Sequence, residues 1–313
     1  MTQDPDLLHE LAPVAEGLLE RHLANAREWF PHEFVPWDQG RDFEPGRHWA
    51  PSDAPMDEGV RSALFVNLLT EDNLPHYFRT IDGMFGVDEP WGAWARRWTA
   101  EEGRHAIVIR DYLTVTRAVD PVALERGRMS QVSGGVVPEP VSVADTLVYV
   151  TLQEMATRIA HRNTGRLLED RRGYEIMARV AGDENLHHVF YRDLTTAALA
   201  LDPSAAVVAI DRQVRGFAMP GMGIPDYNAH AKAIAAAGIY DFAVHHDHIL
   251  QPIVLSHWGL ESIEGLSAEA EEARRRLLAY IARVAKAGRR TAGRREERTA
   301  AAQAEERPLV ATG

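Results

Sequence analysis

The hydrophobic positions of the chain recur every three to four residues, the spacing typical of amphipathic α-helices. Near the amino terminus, Leu7, Leu11 and Leu18 follow this spacing and predict a first helix. The pattern then predicts four long helices and four shorter ones, at about 57–80, 89–118, 142–170, 172–201, 204–217, 226–237, 239–258 and 267–286. No stretch alternates at period two for long enough to predict a sheet, so we expect an all-α fold.

Segments without this periodicity separate and follow the helices. Residues 31–56 carry five prolines and predict an irregular segment that wraps the helices. Ser142 or Ser133 is suited to cap the third long helix, and Asp202, followed by proline, closes the fourth. From 287 to 313 the chain is rich in Arg, Ala, Glu and Thr, which predicts a charged, flexible tail. We therefore expect a single domain at 1–286 and a tail at 287–313.

The composition excludes several kinds of chemistry. The 313 residues include no cysteine, which excludes disulfides, thiolate nucleophiles, iron–sulfur clusters and zinc–cysteine sites. The 34 Lys and Arg against 46 Asp and Glu give a net charge of −12, which argues against nucleic-acid binding. No run approaches the ~20 apolar residues that span a bilayer, and the acidic, amphipathic amino terminus is unlike a signal peptide. We expect a soluble, cytoplasmic protein without a membrane span.

Two of the predicted long helices carry a carboxylate and an imidazole at the same spacing. The motifs are Glu102-x-x-His105 and Glu184-x-x-His187. Residues i and i+3 of a helix lie about 60° apart, so each motif can offer both side chains to one ion. A single motif of this kind is more often an exposed helix pair than a metal site. Two copies on two helices favour the metal site.

Two further acids extend the pattern. Glu71 and Glu154 follow apolar residues that point toward a core, where an isolated carboxylate needs a partner. One Glu from each of two helices, with a Glu-x-x-His motif from each of two others, is the ligand set of the ferritin-like dinuclear carboxylate bundles. We therefore predict a ferritin-like four-helix bundle with additional amino- and carboxy-terminal helices, whose ligand-bearing helices lie at about 57–201. Nitrogen and oxygen ligands favour Fe, Mn or Zn.

The chain also resembles a known family, the soluble acyl-[acyl-carrier-protein] desaturases of plant stearoyl and actinobacterial type. The matching stretches are 69–77 (T-E-x-x-L-P-x-Y in the family), 94–105 (W-x-x-x-W-T-A-E-E-N-R-H), 153–164 (Q-E-x-A-T, then N-T), 183–187 (D-E-x-x-H) and 218–220 (S-M-P). Gly103 replaces the family's Asn in the second stretch. The resemblance spans about 10–290, and its Trp-Thr-Ala-Glu-Glu block is the most specific part.

This resemblance implies an O2-dependent enzyme that introduces a cis double bond into a carrier-bound fatty acyl chain. It implies two iron ions, with manganese as a substitute, and six metal ligands: Glu71, Glu102, His105, Glu154, Glu184 and His187. Glu102 and Glu154 are expected to bridge the ions. The implied partners are an acyl carrier protein, a ferredoxin-type electron donor and a second copy of the chain. The carrier is acidic, and Arg21, Arg27, Arg96 and Arg97 are candidates for its docking.

The resemblance also implies roles for residues around the metal site. Thr157 corresponds to a threonine beside the oxygen site; its alternative is a helix-packing threonine bonded to the main chain. Asp183 is expected to accept a hydrogen bond from a ligand imidazole and to join Trp37 in an electron-entry path. Alternatively, Trp37 is a tryptophan that only packs against its neighbours. The family's acyl channel is lined at the positions that correspond to Thr80, Ile81 and Met84.

Other functions stay open at this point. A related di-iron oxygenase would hydroxylate a carrier-bound substrate, and a non-catalytic homologue would bind metal only. A ribonucleotide reductase radical subunit is disfavoured because Ile109 stands where it would have tyrosine. Asp241, His245 and His248 could form another metal-binding face, although an exposed polar helix face is the favoured interpretation.

Overall fold

The computed structural model describes residues 5–137, 139–219, 221 and 223–305. Within these ranges the regular structure is helical. The α-helices are α1 (Pro5–Asn25), α2 (Pro31–Phe34), α3 (Glu58–Glu71), α4 (Leu74–Phe85), α5 (Trp91–Thr116), α6 (Pro121–Gly134), α7 (Val143–Leu167), α8 (Arg171–Leu201), α9 (Pro203–Gly216), α10 (Tyr227–Ala236), α11 (Phe242–His245) and α12 (Ala268–Glu305). A π-helical stretch continues α11, and short 3-10 turns occupy Trp37–Gln39, Pro51–Asp53 and Leu260–Ser262.

Four helices form the central bundle. α3 packs against α5 and α7, and α8 packs against the same two helices, so the four close into a ring. α1 lies against α8 and α5, while α4 lies against α5 and α7. α9 packs on α7, α8 and α12. This arrangement confirms the predicted all-α, ferritin-like bundle with additional helices at both ends.

The bundle interior is apolar above and below a polar middle layer. Along α5, Trp94 and Trp98 belong to one hydrophobic cluster, and Ile109 and Leu113 belong to another. Between these clusters, Glu102 is buried although it is a carboxylate. Burying a carboxylate costs free energy unless it is paired, so this layer is where partners must be found.

Side-chain caps begin several of the bundle helices. Asp57 accepts the backbone N–H groups of residues 59 and 60 at the start of α3. Ser142 accepts the N–H of Asp145 at the start of α7, as predicted, and Asp170 caps α8 in the same manner. Each cap satisfies backbone donors that have no partner inside the helix. The caps therefore fix where α3, α7 and α8 begin, whereas α5 begins after Pro90 without a side-chain cap.

Two helical regions before residue 140 differ from the prediction. The helix predicted at 57–80 is two helices, interrupted at Asp72 and Asn73. Pro75 explains the break, because in a continuous helix its ring would clash with the carbonyl of residue 71. α6 was not predicted, since only Leu124, Gly127 and Gln131 of this helix are buried and they form no wide apolar stripe.

The last helix extends beyond the predicted domain end at residue 286. α12 is continuous to Glu305, and Arg295 pairs with the buried Asp241 at 2.6 Å. The helix therefore does not end at the boundary expected between 286 and 287, and the division into domain and tail stays a prediction. The end of the predicted tail, 306–313, lies outside the described residues, as does Pro220 of the turn at 218–220. No helix in the described ranges is both long and apolar enough to cross a bilayer.

Candidate metal centre

The six side chains predicted as metal ligands lie together in the polar layer. Glu71 comes from α3, Glu154 from α7, and one Glu-x-x-His motif each from α5 and α8. They form two overlapping groups whose ligand atoms lie within 4.8 Å of one another: Glu71, Glu102, His105 and Glu184, and Glu102, Glu154, Glu184 and His187. Every member is buried. The bundle thus brings all six predicted side chains into two four-ligand groups.

The carboxylates shared by the two groups differ from the expectation. Glu102 and Glu184 belong to both groups, whereas Glu154 belongs to one. The structure therefore places Glu184, and not Glu154, within reach of both groups, while the bridging of two ions by Glu102 and Glu154 stays a prediction. Each shared acid is the Glu of a Glu-x-x-His motif. One motif lies on α5 and the other on α8, and the two face each other between these helices.

An acid that precedes each motif supports the imidazole of the opposite motif. Asp183, next to Glu184 in the sequence, lies 3.5 Å through Oδ2 from Nε2 of His105. Glu101, next to Glu102, lies 2.9 Å through Oε2 from Nε2 of His187. Asp183 is the acid nearest to Nε2 of His105, without a hydrogen bond of good geometry, whereas Glu101 forms a hydrogen bond with Nε2 of His187. The Nδ1 atoms of both rings face the carboxylates. An imidazole held in this way keeps one tautomer and one ring orientation, which favours metal binding.

Burial and neighbouring charges perturb the carboxylates. Burial raises the pKa of Glu154 well above its usual range, and Glu184 adds to the rise. Burial and Glu184 also raise the pKa of Glu102. Burial acts in the same direction on Glu71, but hydrogen bonds with His105 and His161 outweigh it and lower the pKa of Glu71. Acids this close together share protons or cations, because like charges disfavour each other's ionised form.

The imidazoles respond to the same charges in the opposite direction. Burial alone would lower the pKa of both His105 and His187, but Glu102 and other acids outweigh burial and raise both pKa values well above their usual range. Burial also favours the neutral form of Asp183, but its hydrogen bonds with His105 and Trp29 lower the pKa of Asp183 to about 2. The layer thus concentrates negative charge and favours cations.

Comparison with known proteins assigns this arrangement to a family. A family model described as fatty acid desaturase matches residues 3–307. The chain belongs to the fatty acid desaturase family. It is 41% identical over 288 residues to DesA1 of Mycobacterium tuberculosis, which is named as an acyl-[acyl-carrier-protein] desaturase; the match covers 89% of this chain and 85% of DesA1.

More distant desaturases match as well. The chain is 30% identical over 315 residues to the chloroplastic acyl-[acyl-carrier-protein] desaturase of Cucumis sativus, covering 94% of this chain and 79% of that protein. The X-ray structure of DesA2 from Mycobacterium tuberculosis H37Rv superposes with a TM-score of 0.69 at 30% identity, covering 86% of this chain and 99% of that one. These matches confirm the resemblance to acyl-[acyl-carrier-protein] desaturases that the motifs indicated.

The tryptophan beside Asp183 is not Trp37, which the sequence predicted, but Trp29. Trp29 donates its indole N–H to Asp183 at 2.7 Å and is buried. Trp37 is 51% exposed and donates instead to the main-chain oxygen of His32. The assignment of Trp37 was therefore wrong. Trp29 and Asp183 are separated by 154 positions, and no local pattern distinguishes Trp29 from Trp37.

The hydroxyl of Thr157 contacts both the main chain of its own helix and a carboxylate of the centre. Its hydroxyl is 3.2 Å and 3.1 Å from the main-chain oxygens of Gln153 and Glu154, the back-bonding geometry of a helix threonine. The same hydroxyl lies 3.1 Å from Oε2 of Glu184. It therefore contacts a shared carboxylate whichever acceptor its hydrogen takes.

Two adjoining pockets, together called the cleft, lie beside the carboxylates. Thr80 and Ile81 line its outer part, and a smaller pocket beside Glu71, Glu102 and Glu184 forms its inner end. The two parts share three lining residues, Tyr77, Trp98 and Gln153. Met84 does not line the cleft as expected; it is fully buried one turn further along α4, in the cluster that contains the tryptophans of α5.

Three residues of the centre were missed by sequence reasoning. Glu101 had a signal, because an acid precedes both Glu-x-x-His motifs. His161 also had one: it lies two turns after Glu154 on α7, and its Nε2 is 3.0 Å from Oε1 of Glu71. His22 on α1 had none, since its contact with Glu101 joins helices that are distant in the sequence.

Other candidates from the sequence have different partners. Asp241 caps α11 and pairs with Arg295, and His245 lies 2.9 Å from the hydroxyl of Tyr240. No potential metal-binding group within the described ranges includes His248. Arginines proposed for carrier docking are engaged too, since Arg21, Arg96 and Arg97 form ion pairs with Asp193, Glu89 and Glu101.

Proposed function

We propose that this protein is an acyl-[acyl-carrier-protein] desaturase that uses O2 and a di-iron centre to form a cis double bond in a carrier-bound fatty acyl chain. The observation that carries the proposal is the pair of overlapping four-ligand groups at the inner end of a cleft. The names of the relatives add the substrate class, because both DesA1 and the Cucumis sativus protein are named as acyl-[acyl-carrier-protein] desaturases.

The chemistry of the donor set fits two metal ions. Three buried atoms that face the centre, Oε1 of Glu102, Oε2 of Glu154 and Nδ1 of His187, form no hydrogen bond of good geometry, although Nδ1 lies 2.8 Å and 3.6 Å from the two oxygens. Buried polar atoms without partners are costly, and a cation would satisfy all three. Carboxylate and imidazole ligands without thiolates suit iron, with manganese as a substitute. Two iron ions bound there would supply the reduction of O2 and the oxidation of the acyl chain.

The residues around the centre would prepare it for this chemistry. Glu101 and Asp183 would hold the two ligand imidazoles with Nδ1 inward, and Trp98 would orient Glu154 by donating its indole N–H at 3.0 Å. Thr157 would contact the shared carboxylate Glu184 on the side of the inner pocket. A preorganised site of this kind needs little rearrangement when the substrate arrives.

The cleft would determine which carbon atoms react. Its outer wall is largely apolar, with Ile81, Tyr149 and Val150 among the lining residues, and it suits a hydrocarbon chain that excludes water. Holding the chain in one position places one C–C bond beside the carboxylates, so regioselectivity would be a positioning effect.

Electrons would enter through the contact between Trp29 and Asp183. The guanidinium of Arg104 lies 5.0 Å from the indole centroid of Trp29. The ring of His105 stacks with the same indole, with 6.4 Å between the ring centroids. This chain of contacts joins the surface to one four-ligand group. A ferredoxin-type donor is the partner that we propose for it. A homodimer and a cytoplasmic location stay predictions.

Product analysis by mass spectrometry tests the proposal. The iron-loaded protein is given ferredoxin, its reductase, NADPH, O2 and acyl carrier proteins of several chain lengths. We expect an acyl product lighter by two hydrogens, abolished in Glu102→Ala and His187→Ala and retained in the exposed control Glu125→Ala. A product heavier by one oxygen would assign hydroxylation instead. An unchanged acyl chain at every length, with iron bound, would contradict catalysis on this substrate class.

A further inference from the structure

A histidine from outside the four-helix bundle reaches the candidate metal centre. His22 lies on α1 and is buried against α5 and α8. Its Nε2 atom is 2.9 Å from Oε2 of Glu101, and Nε2 of His187 lies at the same distance from the same oxygen. One carboxylate oxygen thus receives two imidazoles, one of them a candidate metal ligand.

Aromatic packing fixes the two imidazoles relative to each other. Their ring centroids are 5.8 Å apart and their planes are inclined by 23°. The edge of Trp94 meets His22 at 5.0 Å and His187 at 6.1 Å. Neither ring can turn away from Glu101 without displacing a buried indole, and displacing core side chains costs free energy.

The second oxygen of Glu101 is held by arginines. Arg97 forms an ion pair with Oε1 on the same helix, and Arg104 lies 3.8 Å from it. These guanidiniums keep the carboxylate negative, and they also oppose a cation bound among His22, Glu101 and His187. The three groups are close enough to hold an ion, but the positive charges beside them favour a hydrogen-bonded arrangement.

The consequence for His187 concerns its tautomer. When Nε2–H of His187 donates to Glu101, the lone pair of the neutral ring lies on Nδ1. That atom faces the carboxylates, 2.8 Å from Oε1 of Glu102 and 3.6 Å from Oε2 of Glu154. Without His22, Arg97 and Arg104 still pair with Oε1 of Glu101, but His187 is the one imidazole left on Oε2. The position of Oε2 is then less restricted, and so is the metal-facing orientation of His187.

We infer that His22 is a positioning residue of the metal centre: through Glu101 it holds His187 ready to bind one of the two ions, and α1 is thereby part of the centre. This inference rests on the proposed metal centre. It predicts unequal effects on the two four-ligand groups, since Glu101 contacts His187 and not His105.

Two substitutions of His22 separate positioning from packing. In His22→Gln the side-chain amide nitrogen takes the place of Nε2, whereas the shorter side chain in His22→Asn does not reach Glu101. His22→Leu, close in volume, provides a second variant without a donor. His9→Asn is the matched control, because His9 is an exposed histidine on the same helix. Metal affinity is measured by competition between Co²⁺ and a coloured chelator, with thermal unfolding of the metal-free proteins alongside.

We expect wild type, His9→Asn and His22→Gln to bind two Co²⁺ ions with similar affinities. His22→Asn and His22→Leu should bind one ion normally and the other about 10–100-fold more weakly, the usual effect of losing an outer hydrogen-bond partner of a ligand. Unchanged affinities in both donor-free variants would overturn the inference. An equal loss in His22→Gln and His22→Asn would assign His22 to packing. Wild type that binds no Co²⁺ would overturn the proposed metal centre itself.

Discussion

Replacing Trp29 by phenylalanine tests how this protein couples its surface to its polar layer. Trp29 is 4% exposed and donates its indole N–H to Asp183, while Trp37 is 51% exposed and donates to a main-chain oxygen near the surface. Trp37→Phe is therefore the matched control, because it makes the same chemical change eight positions along the chain, at a residue whose indole N–H bonds to the main chain of His32.

The structure sets the size of the expected loss. A hydrogen bond to a buried charged group contributes about 1.5–3 kcal/mol to stability, and the smaller ring also leaves unfilled space. Arg179 still pairs with Asp183 after the change, which limits the loss. We expect Trp29→Phe to lower the free energy of unfolding by about 2–3 kcal/mol and the melting temperature by roughly 5 °C. Trp37→Phe should stay within about 0.5 kcal/mol of wild type.

Thermal unfolding and reduction kinetics together measure the effect. The iron-loaded variants are oxidised, mixed with reduced ferredoxin, and followed by absorbance as the iron is reduced. Trp29→Phe should be reduced more slowly than wild type, while Trp37→Phe should match wild type in both assays. Equal behaviour of the two variants, or a larger effect at Trp37, would refute the assignment of electron entry to Trp29.

Three further predictions address the ligands, the cleft and the pH dependence of stability. Glu102→Gln removes a carboxylate that both four-ligand groups share, so metal analysis should find weaker binding of both ions, whereas Glu154→Gln should weaken one. Thr80→Trp fills the outer cleft; turnover of long acyl chains should fall while metal content stays unchanged. Burial lowers the pKa of His245 to about 4 from 6.5, so the folded state favours its neutral form. Wild type should then lose up to about 3 kcal/mol more stability than His245→Gln as the pH falls from 6.5 to 4 in denaturant titrations, and parallel losses would contradict this.

The features that could be predicted from the sequence are those with a local period. Apolar spacing predicts the helices, and the i, i+3 spacing of Glu102 and His105 predicts two ligands on one face. The repeat of this motif at Glu184, with Glu71 and Glu154, predicts a shared site because buried carboxylates need a cation. These inferences use neighbours in the sequence and one physical rule.

The features that could not be predicted depend on packing between distant elements. Trp29 contacts Asp183 and His22 contacts Glu101. Both contacts form only when α1 and the residues that follow it pack on the bundle. The sharing of Glu184 depends on the distance between α5 and α8, which helical spacing does not specify. Met84 lies on the predicted helix, but its depth in the cluster is likewise a tertiary property.

A single-turnover experiment without any electron donor measures metal and reaction together. The protein is loaded with two ferrous ions, mixed with an acyl carrier protein substrate and exposed to O2. The two irons supply two electrons and the acyl chain supplies two more, which reduces O2 to water. We predict up to one double bond for each pair of irons, seen as a mass loss of two hydrogens. An acyl chain that gains oxygen, or that stays unchanged while two irons are bound and oxidised, would contradict the account.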